Sequence, residues 1–457
     1  MFSKIDNFLY CNSIAVVGAS NNPSKWGYEV MDFLHRGKYN GKIYPVNKSE
    51  SEVWGLESYP SLLKIHDNVD IVDICIPAKY TPEIVKEAVA IKAKGVVIFS
   101  AGFREAGEKD LEDKIKEIIK GTDTRVLGPN VQGVICPDNH LCNNSEPLIT
   151  LSGNVGIISQ SGSVSATIAE WCERDNIGIS AMINLGNQID ICETDVLDYF
   201  LEDAKTDVIA YYFEGTSHSN DFNHLLKNKA LKKPILIIKP GRTNMGKRSA
   251  ISHTGSIAGN DKIFSDVCRQ YGLINCSNLT HFYDSLTIFS CVKNIGRGNR
   301  AIVLSTSGGV GSIAVDELVE NDLHPVILKN ESIEKIRNST NSGGTNVGIV
   351  LDLMVPISSW IKPVKLLNQE MEDEFDIYFF VIADSLPGIE DLIEELKSKT
   401  KKPIIISYTS GSAAERAGRK KLQQLSIPVY STPDRAARAL RDLVGFAERR
   451  KSYVTIK

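Results

Sequence analysis

Ser13-Ile14-Ala15-Val16-Val17-Gly18, followed by Ala19-Ser20-Asn21-Asn22-Pro23-Ser24-Lys25-Trp26-Gly27 and then by the stretch Tyr28 to Arg36, decides the fold. A short apolar run closed by Gly predicts a buried strand, the small and polar residues predict a turn, and the stretch to Arg36 predicts a helix. Strand, small-residue turn and helix form the first unit of a dinucleotide-type fold. Backbone N–H groups exposed at such a helix start favour an anion, usually a phosphate. The spacing lacks G-x-G-x-x-G and no ribose-binding acid stands in context, which disfavours an NAD-linked dehydrogenase.

The same grammar continues downstream. Lys42 to Asn47, Val69 to Pro77, Gly95 to Ser100 and Arg125 to Asn130 read as strands ending in small or polar residues, and helices from Thr81 to Lys92 and Asp110 to Lys120 separate the later ones. Repeated β-then-α order predicts a parallel sheet with helices on both faces and polar strand ends along one edge. A second α/β set begins near Pro147. Val155 to Ser159 reads as a strand, Gln160-Ser161-Gly162-Ser163 as a tight turn and Val164 to Arg174 as a helix. That helix start suits either a simple cap or a phosphate-sized anion. The strand Val208 to Phe213 ends at Glu214-Gly215, where a carboxylate is suited to orienting an imidazole. Asn294 to Asn299 reads as a linker. Arg300 to Ser305, leading into Thr306-Ser307-Gly308-Gly309-Val310-Gly311-Ser312, opens a third strand, Gly turn and helix, and the helix Pro433 to Arg450 closes that unit.

At 457 residues the chain holds about three domains. A formal net charge of -4 with mixed signs gives no reason to expect nucleic-acid binding. Nine scattered cysteines without C-x-x-C pairs read as reduced thiols in a cytoplasmic protein. No apolar run reaches membrane-spanning length.

One histidine stands out. Lys247 to Asp261 places His253 among small, polar residues after the strand Pro234 to Gly241, and reads as a loop that presents an imidazole. Gly241-Arg242-Thr243-Asn244-Met245-Gly246-Lys247-Arg248 almost spells a P-loop, but its last position is Arg248 where a Ser or Thr is required for Mg²⁺. It reads as a basic, mobile loop.

Taken in order, Val17-Gly18-Ala19-Ser20, Tyr44-Pro45-Val46-Asn47, Leu127-Gly128-Pro129-Asn130, Ser159-Gln160-Ser161-Gly162, Phe213-Glu214-Gly215, Ser252-His253-Thr254-Gly255-Ser256 and Ser307-Gly308-Gly309-Val310-Gly311 make the chain resemble, end to end, the α subunits of NDP-forming acyl-CoA synthetases, in particular the ADP-forming acetyl-CoA synthetases related to the succinyl-CoA synthetase α chain. The resemblance implies an α/β architecture: a Rossmann-type coenzyme A-binding domain over 1–146, a flavodoxin-like phosphohistidine domain over 147–293, and a second flavodoxin-like, doubly wound domain over 299–457. It implies that Gly18, Ser20, Lys25, Val46, Asn47, Pro77 and Ser100 line the coenzyme A site, with Asn130 near the reacting thioester. Ser161, Gly162 and Gly255 would hold the phosphoryl group, His253 would be its carrier, and Glu214 would orient His253. No metal ligands fall on this chain. ATP or ADP with Mg²⁺ would bind mainly to an ATP-grasp β subunit in a cytoplasmic hetero-oligomer whose substrates are a small carboxylic acid, phosphate and coenzyme A.

Two places depart from the family pattern. Gly348-Ile349-Val350-Leu351-Asp352-Leu353 stands where Asn-Pro-Val-Asp-Leu is usual, and Gln188 follows Asn187 where Lys is usual, which bears on the acid accepted. The alternative function is a coenzyme A-binding sensor or scaffold without turnover, in which His253 is dispensable.

Overall fold

The computed structural model describes residues 4–144, 147–254, 260–293, 298–340, 346–354, 356–384 and 386–456. The chain divides into two compact units, Met1–Asn275 and Cys276–Lys457. Among the described residues no helix is long and apolar enough to cross a membrane.

The first unit holds two sheets. Strands β1 (Ser13–Val17), β2 (Lys42–Val46), β3 (Ile71–Ile74), β4 (Gly95–Ile98) and β5 (Arg125–Leu127) pair in parallel in the order β2-β1-β3-β4-β5, with helices α1 (Trp26–Arg36), α2 (Thr81–Ala90) and α3 (Lys109–Ile119) between them. The second sheet starts with a hairpin, β6 (Gly133–Cys136) and β7 (Leu141–Asn144), then runs through β8 (Ser152–Ser159), β9 (Ile179–Asn184), β10 (Val208–Tyr212), β11 (Ile235–Ile238) and β12 (Ile274–Asn275), in the order β12-β11-β10-β8-β9-β6-β7. Its helices include α4 (Gly162–Arg174), α5 (Glu193–Glu202), α6 (Ser219–Lys229), α7 (Asn244–Thr254) and α8 (Asp261–Tyr271). From β8 on the strands are parallel, and the hairpin joins antiparallel at the β9 edge.

In both sheets the first parallel strand lies between the second and the third. The order therefore reverses between β1 and β3, and again between β8 and β10, and ligands of doubly wound sheets bind at such reversals beyond the strand C-termini. Gly18 ends β1 at φ +90°, a conformation that disfavours any side chain, and a Cβ on Gly27 would lie 2.0 Å from the Gly18 carbonyl oxygen. These two glycines let α1 start hard against the strand end.

One buried apolar cluster runs beneath both sheets, from Ile14 and Val16 through Val134 and Ile183 to Tyr211 and Ile237. Each such side chain contributes roughly 1.5–3 kcal/mol, so the two sheets cohere as one body. The hairpin is tied to the first sheet by Asn143, whose Nδ2 donates to Asp73 Oδ1 at 3.0 Å at full burial.

The segment expected as a basic loop carrying His253 is instead helix α7. Thr243 caps it: its Oγ1 accepts from Gly246 N at 3.0 Å and its carbonyl from Lys247 N at 2.8 Å. Once that first turn is fixed, Met245, Lys247, Arg248 and Ala250 favour helix over loop.

The second unit contains helix α9 (Leu279–Cys291), strand β13 (Arg300–Ser305), helix α10 (Gly308–Glu320), strands β14 (Val350–Asp352), β15 (Ile377–Ile382), β16 (Ile404–Tyr408) and β17 (Val429–Tyr430), and the C-terminal helix α11 (Pro433–Ile456). The main path β14-β13-β15-β16-β17 repeats the same parallel order. Although α9 precedes the expected linker, it packs on α11. Asp284, 2% exposed, accepts from Arg435 Nη2 at 2.6 Å and Arg438 Nη2 at 3.0 Å, and Asp442 Oδ2 lies 2.7 Å from both His281 Nε2 and Ser285 Oγ.

The turn after the first strand is built alike in both flavodoxin-like sheets. Ser159 Oγ donates to the Ser161 carbonyl at 2.7 Å and accepts from Ser161 N at 3.1 Å, while Ser305 Oγ makes the same two bonds with Ser307 at 2.7 and 3.1 Å.

Candidate active site

A cleft of about 790 Å³ opens in the first unit at the C-terminal ends of its strands. Ser100 follows β4, Asn130 follows β5, Ser161 and Gly162 start α4, and Glu214 follows β10, and all five line it. Five expected positions from four distant stretches thus converge. Gly18, Ser20, Lys25, Val46, Asn47 and Pro77 do not line the cleft. They lie along the C-terminal edge of β1, β2 and β3, and Trp26, next to Lys25, reaches the cleft from that edge. His253 falls in α7, but its side chain, and all of Gly255, lie outside the described residues.

The first-sheet edge is not an empty phosphate cradle. Glu50 takes up its donors: Ser20 Oγ at 3.2 Å, Asn21 Nδ2 at 2.8 Å and Asn47 Nδ2 at 3.1 Å. Lys25, exposed as the residue before α1, is the cation here.

Ser161 is the N-cap of α4 with extended backbone (φ -108°, ψ 129°) and no side-chain cap bond. The free N–H groups of the first helical turn therefore face the cleft with the positive end of the helix dipole. A Cβ on Gly162 would approach Gln132 Oε1 to 2.7 Å, a contact that the end of the Gln132 side chain can relieve by moving.

Glu214 is set by Gln160, a residue the sequence reading placed in a motif but gave no role. Gln160 Oε1 accepts from the backbone N–H of Glu214 and, at 3.2 Å, from that of Gly215, while its Nε2 donates to the Gly215 carbonyl at 2.7 Å. The acid and the turn that starts α4 share this one side chain. Neither residue type nor spacing signals this, because the bonds form only when β8 and β10 are neighbours.

The opposite wall is polar and tightly braced. Asn187 Nδ2 donates to Glu105 Oε2 at 2.6 Å and to Glu112 Oε1 at 2.8 Å, and Arg104 Nη2 donates to the Asn187 carbonyl at 2.7 Å. Burial opposes ionisation of Glu105, yet the bonds from Asn187 and from Gly102 N hold its carboxyl below the ordinary range. Gln188, at φ +56°, turns its Oε1 to accept from Glu193 N at 3.0 Å and so caps α5. Glu193 lines the cleft while only 1% exposed, and burial raises its carboxyl pKa despite a bond from Thr216.

Comparison with known proteins assigns this architecture. A coenzyme A-binding domain profile matches residues 12–137, and a succinyl-CoA ligase-like flavodoxin domain profile matches residues 152–289. The α subunit of ADP-forming acetate-CoA ligase I from Pyrococcus furiosus is 33% identical over 445 residues, covering 94% of this chain and 95% of that one. The chain belongs to the α-subunit family of ADP-forming acetate-CoA ligases. This family consists of acid-thiol ligases. The ADP-forming acetate-CoA ligase of Methanocaldococcus jannaschii is likewise 33% identical, over 96% of this chain, and the chain spans 62% of that longer ligase. Among solved structures, a dinucleotide-forming acetyl-coenzyme A synthetase 1 from Candidatus Korarchaeum cryptofilum, in complex with phosphate and ADP, shares 30% identity at a TM-score of 0.90, covering 99% of this chain and 98% of that one. The ligase α-subunit fold accounts for both sheets of the first unit and for the third.

Proposed function

We propose that this chain, with an ATP-grasp partner subunit, joins a small carboxylic acid to coenzyme A at the expense of ATP, through phosphorylated His253. The functional parts are a coenzyme A-binding part (1–146), a phosphohistidine part (147–293) and a third part (299–457). Coenzyme A lies along the first-sheet edge, over Gly18, Ser20, Lys25, Val46, Asn47 and Pro77, and its thiol end enters the cleft beside Ser100 and Asn130. The nucleotide and Mg²⁺ belong to the partner. Nine free cysteines suit a cytoplasmic setting.

The steps balance without a further reactant. A neutral His253 ring nitrogen attacks the γ-phosphorus of ATP on the partner, and ADP leaves. In the cleft a carboxylate oxygen of the acid attacks the phosphorus, the P–N bond breaks, and acyl phosphate forms. The coenzyme A sulfur attacks the acyl carbon, phosphate departs with the C–O bond electrons, and the thiol proton ends on the departing phosphate. The Ser161 hydroxyl and the free backbone N–H groups from Gly162 onward stabilise the phosphoryl oxygens, helped by Gly255. Glu214 accepts the N–H of the other imidazole nitrogen, fixing the tautomer and balancing the charge of the phosphorylated ring.

The convergence of Ser100, Asn130, Ser161, Gly162 and Glu214 on one cleft carries this reading. The test is thioester formation from coenzyme A, ATP and Mg²⁺ by the chain with its partner, across a series of acids headed by acetate. Turnover lost in His253→Ala supports the reading, and turnover retained in that variant overturns it.

A further inference from the structure

We propose that Cys192, Glu193 and His218 form a binding site for a zinc-class divalent cation, with one coordination position open to the cleft. One donor atom from each, a thiol sulfur, a carboxylate oxygen and an imidazole nitrogen, lie within 4.8 Å of one another. Glu193 supplies the independent sign of a missing ligand. Its side chain is 1% exposed, and its Oε1 has no hydrogen-bond partner among the described residues. A buried carboxylate oxygen left so is destabilising, and a bound cation would relieve it.

The three donors are held by a shared set of supporting bonds. Cys192 is the N-cap of α5 and Glu193 its first residue, while His218 immediately precedes α6. Thr216 Oγ1 accepts from His218 N at 2.8 Å and so fixes the backbone of that ligand. Gln188 fixes the Glu193 backbone at 3.0 Å, and Asp195 Oδ2 accepts from the Cys192 backbone N–H at 3.1 Å. Such outer partners orient the ligands of known metal sites.

The donor set selects the metal. Thiolate and imidazole disfavour Mg²⁺ and suit Zn²⁺ or Co²⁺, and three protein ligands leave a tetrahedral ion one free position. On binding, the Cys192 S–H bond breaks, its proton goes to solvent and a sulfur–metal bond forms. Thiolate and carboxylate then neutralise the dication. Glu193 and Thr216 line the cleft, so the free position faces it. This site stands or falls independently of the ligase reading.

The test is titration of the metal-free full chain with Co²⁺ at neutral pH, followed by absorption. A near-ultraviolet thiolate-to-cobalt band that saturates at one equivalent and is displaced by Zn²⁺ is expected. Cys192→Ser, which keeps a good helix cap, should abolish the band. His218→Ala, at an exposed position, should weaken binding about tenfold or more, at least the scale of an outer-shell partner. Absence of a band, or a band unchanged in Cys192→Ser with circular dichroism showing an intact fold, overturns the proposal.

Discussion

Gly215 holds both polar ends of the Gln160 side chain, giving its carbonyl to Nε2 at 2.7 Å and its N–H to Oε1 at 3.2 Å. Because Glu214 N also bonds that Oε1, the peptide carrying the acid is locked to the turn carrying Ser161. Gln160→Ala is predicted to lower kcat about 10–100-fold with KM for coenzyme A little changed, the scale of a small misplacement of a reacting group. Gln160→Glu keeps both accepted bonds but sets a carboxylate oxygen against the Gly215 carbonyl, so it should be at least as impaired as Gln160→Ala. Steady-state kinetics of the chain with its partner checks both.

Glu214→Gln tests charge separately from position. The amide can still accept a hydrogen bond from the imidazole but cannot balance a phosphorylated ring. A kcat loss of about 10²-fold or more is expected, as for removal of one electrostatic stabiliser, with native circular dichroism.

Asp73 gives a pH signature to the first unit. Burial raises its carboxyl from the ordinary 3.8 to about 7, against the bond from Asn143. The folded state therefore binds this proton more tightly than the unfolded one. The associated stability is complete below about pH 4 and is lost as pH rises through 7. Asp73→Asn removes the cost of ionisation and can pair amide to amide with Asn143. In urea denaturation of the full chain, the variant should be more stable than wild type at pH 8, by on the order of a few kcal/mol. The difference should close towards pH 4.

Asp284 is the buried anchor of the second unit. Asp284→Ala leaves the Arg435 and Arg438 guanidinium groups, 34% and 27% exposed, to turn to water without their carboxylate, and a loss of about 1–3 kcal/mol is expected from the charge-assisted bonds removed. Thermal unfolding followed by calorimetry checks this.

Much of this molecule is legible in its sequence, and the limits are physical. Each parallel strand is a short apolar run closed by small or polar residues, as at Val17-Gly18, Ser159-Gln160 and Ser305-Thr306, so strand order along the chain and the turns at the strand ends could be read directly. The His253 segment misled because Gly246, Ser249 and Ser252 look loop-like, whereas the Thr243 cap decides for helix. Gln160 and Glu193 acquire their roles only from strand adjacency and burial, which no local pattern encodes. The hairpin Gly133–Asn144 reads as the tail of the first domain, yet pairs with β9 of the second sheet.

The most direct test of the phosphocarrier account is neutral-pH intact mass spectrometry of this chain, purified with its native partner and given Mg²⁺ and ATP, beside His253→Ala. The account predicts a mass gain of one phosphoryl group that is acid-labile and absent from the variant. An unchanged mass, with the partner shown to bind ATP, would contradict it.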